Sequence, residues 1–144
     1  MPASELTSVA GIRKELAAAG LEVFRSKGDE IALAERPREN LIMDSGVVLR
    51  VGEPLEVRVA FFVHKVDFPN DDQERLFEHA RRKAGQALSE GFVEVTTAVT
   101  PVPDPGNDLR TLDTFYSVVY AKQSPAVGDA ITLLKRALSF EKDL

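Results

Sequence analysis

The sequence predicts an α+β domain: an antiparallel sheet of five to six strands with three packed helices, in the order α-β-β-β-(β)-α-β-β-α. Three observations predict it. Three segments repeat apolar residues every three and four positions, which makes one buried stripe on each helix. Between them lie segments that alternate apolar and polar residues, the mark of half-buried strands. One of these, Val57 to His64 (VRVAFFVH), alternates and then turns apolar on both faces at Ala60, Phe61, Phe62 and Val63.

The first helix is expected over Leu6 to Ala19, with Leu6, Val9, Ile12, Leu16 and Ala19 on one stripe. Ser4 or Thr7 suits its start, and Gly20 suits a left-handed end. Short strands follow at Leu21–Arg25 and Glu30–Glu35, joined by a hairpin turn at Ser26-Lys27-Gly28-Asp29. Pro37, among charged neighbours, points to an edge or a loop. A brief strand over Leu41–Met43 is expected to turn at Asp44-Ser45-Gly46 into Val47–Val51, and Gly52-Glu53-Pro54 makes another turn. The longest central strand, Leu55–Lys65, puts Leu55, Val57, Val59, Phe61 and Val63 on one face and Glu56, Arg58, Ala60, Phe62 and His64 on the other.

A break at 67–72 opens the second helix. Asn70 or Asp71 suits its cap, and Leu76, Phe77, Ala80, Ala84, Ala87 and Leu88 form its stripe as far as about Glu90, where Gly91 ends it. Phe92–Thr100 and Thr111–Ala121 read as strands, with the three prolines of 101–109 expected in a long loop between them. Ser124-Pro125 opens the last helix, with proline at its first position. That helix presents Val127, Ala130, Ile131, Leu134, Leu138 and Phe140.

Composition narrows the function classes. The chain has 144 residues, enough for one domain spanning 1–144. Its net charge of −5 disfavours nucleic-acid phosphates and acidic membranes. With no cysteine there is no disulfide framework, thiol nucleophile or thiolate-bound metal. No run approaches the roughly 20 apolar residues of a membrane span, and the start MPASELTS has no basic run leading into an apolar one. The expected location is cytoplasmic.

Chemistry-bearing residues do not cluster in sequence. His64 reads as polar filling at a strand end and His79 as part of a solvated helix face. Asp67, Asp71 and Asp72 read as the acidic start of a helix. Asp104, Asp108 and Asp113 lack the spacing of a calcium loop and read as surface turn residues. No phosphate-binding glycine loop or nucleophile elbow occurs. The expectation is therefore no catalytic residue, no metal site, no cofactor and no enzyme activity. The basic run Arg75, Arg81, Arg82, Lys83 reads as a solvated face with salt bridges to Glu78 and other acids, and direct nucleic-acid binding is not expected.

What stands out instead is apolar excess. Ala60–Val63, and Phe115 and Val119 set against the Leu112–Tyr120 face, need covering on two sides. Burying about 400 Å² of such surface is worth about 10 kcal/mol before the cost of association.

The segments IRKELAAAGLEVFRSKGDEIALAE, RVAFFVHKV and FEHARRKAGQALSEGFVEV, in that order, resemble YbjN-like proteins, and the order of elements is similar to the type III secretion chaperone-like fold. The resemblance implies no enzyme activity. It implies a homodimer that binds a protein client, an adaptor or chaperone-like module. The surface would be carried by Val57, Val59, Phe61, Phe62 and Val63, or by Thr114, Tyr116 and Val118. The acidic balance suits a basic client, including one that handles nucleic acid. The alternative reading is a regulatory domain that senses a small ligand in a cleft between the sheet and the Asn70–Glu90 helix, with Arg75, His79 and Arg82 as polar contacts.

Overall fold

The computed structural model describes residues 8–140, apart from the side chain of Asp108. The elements are α1 (Val9–Ala18), β1 (Val23–Lys27), β2 (Glu30–Arg38), β3 (Leu41–Arg50), β4 (Leu55–His64), a 3₁₀ turn (Lys65–Asp67), α2 (Gln73–Arg82), α3 (Gly85–Ser89), β5 (Val93–Asp104), β6 (Asn107–Ser124) and α4 (Val127–Leu138). The expected α+β class and element order hold, with six strands in the order β1-β2-β3-β4-β6-β5. The order is open, so β1 and β5 are its edges. No described helix is long and apolar enough to cross a membrane.

Contacts divide the described residues into two compact units, one of residues 8–59 and 121–140 and one of residues 60–120. In the first unit the β1–β2 hairpin turns at Gly28-Asp29, with Lys27 paired to Glu30. Ile31, Leu33, Val47, Leu49, Val57 and Val59 are fully buried. Ile12 and Leu16 of α1 and Ala130, Leu134 and Ala137 of α4 supply the helical part of this core. Gly20 ends α1 as expected: its φ is +85°, and the Leu21 N–H returns to the Leu16 carbonyl at 2.9 Å. The cap at the other end is Ser8, which accepts from the Gly11 N–H. Leu6 and the expected caps Ser4 and Thr7 lie outside the described residues.

One expected turn in this unit is a strand irregularity instead. Asp44-Ser45-Gly46 does not end a strand; β3 runs through it from Leu41 to Arg50. The pairing with β2 slips between Ala32 and Ala34, and Gly46 adopts φ +79°. The buried Ser45 hydroxyl donates to the Leu33 carbonyl at 2.7 Å, and Asp44 accepts from the Gly46 N–H at 2.9 Å. Side chains thus satisfy the groups that the bulge removes from the ladder. Pro37 likewise stays within β2, at a second slip between Glu35 and Arg38 where its missing N–H breaks no regular pair.

The second unit begins at Ala60, midway along β4. Phe61, Val63, Val118 and Tyr120 turn to one side of the strands and are buried. Leu76, Phe77 and Ala80 form the buried stripe of α2. Phe77 meets Tyr116 edge-on at 5.5 Å, which places α2 on that face, and Phe61 meets Tyr120 edge-on at 5.8 Å. The α2 cap is Asp72, not Asn70 or Asp71, with its carboxylate accepting from the Arg75 N–H.

Two expectations fail here for local reasons. The helix is not continuous to Glu90. It breaks at Lys83 and Ala84, whose N–H groups bond three residues back, and α3 restarts at Gly85. Ala84 and Ala87 stay buried, but Leu88 leaves the stripe and is exposed. Residues 101–109 are not a long loop either. β5 continues through Pro101 and Pro103 to Asp104, Pro105-Gly106 alone makes the turn, and β6 restarts at Asn107. Proline is tolerated because β5 is an edge strand, where an N–H facing outward has no partner to lose. The last helix starts at Val127 after an Ala126 cap, two residues beyond Pro125.

Candidate functional site

Two features of the second unit stand out, and both grow from β4. The first is a sheet face that, among the described residues of this unit, lies on the side away from α2 and is accessible. Period two puts Phe62 and His64 opposite Phe61 and Val63. On the same side, Phe115 of β6 stacks on Phe62 at 5.5 Å and meets His64 edge-on at 4.3 Å. Glu94 of β5 turns the other way, toward α2, where Arg81 holds it at 2.8 Å. Val93, Val95 and Val99 therefore share the uncovered side, and they are 60, 44 and 46% exposed. Every β5 residue is exposed or half-buried, on both faces and over its whole length. Only Glu94 and Asp104, near its two ends, carry charge.

The expected partner-binding residues are not brought together as one accessible surface. Val57, Val59, Phe61, Val63 and Val118 are buried by the chain itself. Thr114 and Tyr116 are half-buried, and Phe62 is accessible. Alternation puts Val93, Val95, Thr97 and Val99 on one face in the sequence, but they are not among the expected partner-binding residues. The signal for them was the nearly uncharged run VEVTTAVT, with no helix stripe left over to cover it.

The second feature is a cleft of about 540 Å³ at the C-terminal end of α2. Its walls include Val63 and His64 of β4, Phe68, and His79, Arg82 and Lys83. His79 and Arg82 line it as the ligand-sensing alternative expects. Arg75 does not; its side chain is 76% exposed and lies 4.0 Å from Asp71. The break after α2 lets the Lys83 ammonium donate to the Phe62 carbonyl at 2.9 Å.

No family model matches the chain, and no curated protein or solved structure matches it.

Both histidines are held by carboxylates rather than left as filling or solvated surface. His64 Nδ1 lies 2.7 Å from Asp113 Oδ2, and His79 Nε2 lies 2.7 Å from Asp71 Oδ2. The His79 ring also stacks on Phe68 at 4.1 Å. Asp113, expected in surface turn chemistry, accepts from the Thr114 and Val66 N–H groups as well. Burial pushes its carboxyl up, but the His64 ring and these two N–H groups outweigh burial and hold it below the ordinary carboxylate value. Asp104 does serve its turn, accepting from the Gly106 N–H. The Asp108 side chain is outside the described residues. Among the described residues, no group of three or more His, Asp or Glu side chains could hold a metal ion.

Arg81 ties the helix to the edge strand. It pairs with Glu78 as expected and also with Glu94. The Arg81 hydrogen bond lowers the Glu94 carboxyl below its ordinary value. Burial, and then the charge of Glu94, raise the Tyr120 phenol.

Proposed function

We propose that this protein is a non-enzymatic, homodimeric protein-binding module, adaptor or chaperone-like, and that two copies pair along β5. The observation that carries the reading is the exposure of β5 along its entire length at a sheet edge. A long edge strand offers a row of unpaired N–H and C=O groups, and proteins ordinarily blunt such edges with charge, proline, bulges or a covering element; in β5 the prolines Pro101 and Pro103 remove donors only toward its C-terminal end, past the stretch Val93–Thr100. Here the stretch Val95–Val102 carries no charge.

A second copy of the chain suits this edge. In an antiparallel self-pair centred near Thr97, residue 94 faces residue 100 of the other strand. Each Glu94 then meets a threonine rather than its own image, and Arg81 already balances its charge. A two-fold axis normal to the sheet sets the two uncovered faces side by side. The paired faces of Phe62, Phe115, Val93, Val95 and Val99 then form the surface offered to a client. The net charge of −5 suits a basic client. Element order supports the likeness to YbjN-like proteins and to the secretion-chaperone-like fold, and that likeness belongs to this proposal.

Because the chain has no cysteine, single cysteines at Val95, Thr97 and Val99 test the pairing directly. Oxidation links two antiparallel strands only where the Cα atoms approach within about 7 Å. The proposal expects a covalent dimer from at least one of the three and none from a control cysteine at Lys14 on α1. Failure of all three, or equal linkage at the control, rejects the β5 pair.

A further inference from the structure

We propose that the cleft at the C-terminal end of α2 binds a small phosphomonoester through Arg82 and Lys83. The proposal is independent of the dimer. Three cations, Arg81, Arg82 and Lys83, lie at this end of α2, with Arg75 in its first turn, and they differ in their partners. Arg81 is paired with two carboxylates, and Arg75 lies 4.0 Å from Asp71. Among the described residues, neither Arg82 nor Lys83 has a carboxylate within ion-pair distance, and these are the two that line the cleft. A chain with more acids than bases could have neutralised them cheaply, as it did Arg81.

The chemistry of the walls selects the ligand. A guanidinium presents a planar fork of N–H donors that matches two oxygens of a phosphate, and an ammonium supplies a compact second charge. Together they suit a group with close to two negative charges at neutral pH, which a phosphomonoester carries and a carboxylate does not. Phe68 and His79, stacked 16° from parallel, both line the cleft and give an apolar body attached to that phosphate ring surface to pack against. The volume of about 540 Å³ lies within the range of small-molecule sites. One acid, Asp67, also lines the cleft and opposes an anion there. Removing the Asp67 charge should therefore tighten binding.

Phenyl phosphate is the probe, titrated into the full chain at constant ionic strength and followed by amide NMR shifts, with benzoate and benzyl alcohol in parallel. The proposal expects saturation below about 10 mM for phenyl phosphate, with the shifts centred on 63–68 and 79–83. Benzoate should bind more weakly and benzyl alcohol not at all. Arg82→Gln should weaken binding about tenfold, equivalent to about 1.4 kcal/mol. Asp67→Asn should tighten it, and Arg75→Gln, outside the cleft, should leave it unchanged. The same spectra report whether each variant is folded. Lack of saturation, benzoate binding as tightly as phenyl phosphate, or equal weakening by Arg75→Gln would each overturn the assignment.

Discussion

Phe61 and Phe62 are consecutive on β4 and face opposite environments: Phe61 is 1% exposed and packs edge-on against Tyr120, while Phe62 is 40% exposed and stacks on Phe115. One strand thus contributes one ring to the core and the next to an open surface. This resolves the double-sided apolar character of VRVAFFVH. It is the inward side that the chain itself covers, and the outward side that remains available.

Substitutions at the two positions should separate stability from association. Phe61→Ala removes a fully packed ring and is expected to cost about 3–5 kcal/mol. Phe62→Ala loses a ring already in partial contact with water and should cost well under half as much. Urea unfolding of both variants checks the order. Equal losses would place Phe62 in the core as well.

Gly46 holds the β3 bulge at φ +79°, in the left-handed region. Gly46→Ala is expected to destabilise by about 1–2 kcal/mol, because a Cβ there approaches the following carbonyl. The bulge also positions Ser45, whose hydroxyl is buried against the Leu33 carbonyl. Ser45→Ala leaves that carbonyl short of a partner and should cost a further about 1–3 kcal/mol. Thermal unfolding of the single variants tests both figures.

The acid limb of stability should depend on Asp113. Its carboxyl is held below the ordinary value in the folded chain, so the folded state favours the ionised form. That contribution is present above the unfolded value of about 3.9 and is lost as pH falls through the lowered folded value. Asp113→Asn is expected to lower the melting temperature at neutral pH and to flatten its fall between about pH 5 and pH 2. A variant curve parallel to the wild type would show that the His64–Asp113 pair does not contribute.

Much of the fold was legible because it depends on period. Alternation located β4, β5 and β6, and steps of three and four located α1, α2 and α4. The errors arose where a local breaker was outvoted by its neighbours. Pro37 reads as an edge or a loop and Pro101 and Pro103 as loop residues, yet each sits within a strand where there is no regular partner to lose. Asp44-Ser45-Gly46 reads as a turn, yet its polar side chains repair a bulge inside one strand. The paired histidines were beyond reach for a different reason. His64 and Asp113 are 49 residues apart, and nothing in local spacing links them. The cleft was half legible: helical steps aligned His79 and Arg82, but only the break at Lys83 turned that residue toward β4.

The paired β5 edge is tested most directly by the mass of the protein in solution, measured by sedimentation equilibrium for the wild type and for Val95→Lys. A lysine on the exposed face of an edge strand, within the paired stretch, opposes strand pairing without disturbing the core. The expected wild-type mass is near twice 15.8 kDa. Val95→Lys should shift toward the single-chain mass, with a dissociation constant raised at least about thirtyfold, equivalent to about 2 kcal/mol. Far-UV circular dichroism should be unchanged. A wild type that sediments as a single chain at every concentration, or a variant that dimerises as tightly as the wild type, would contradict the β5 pair.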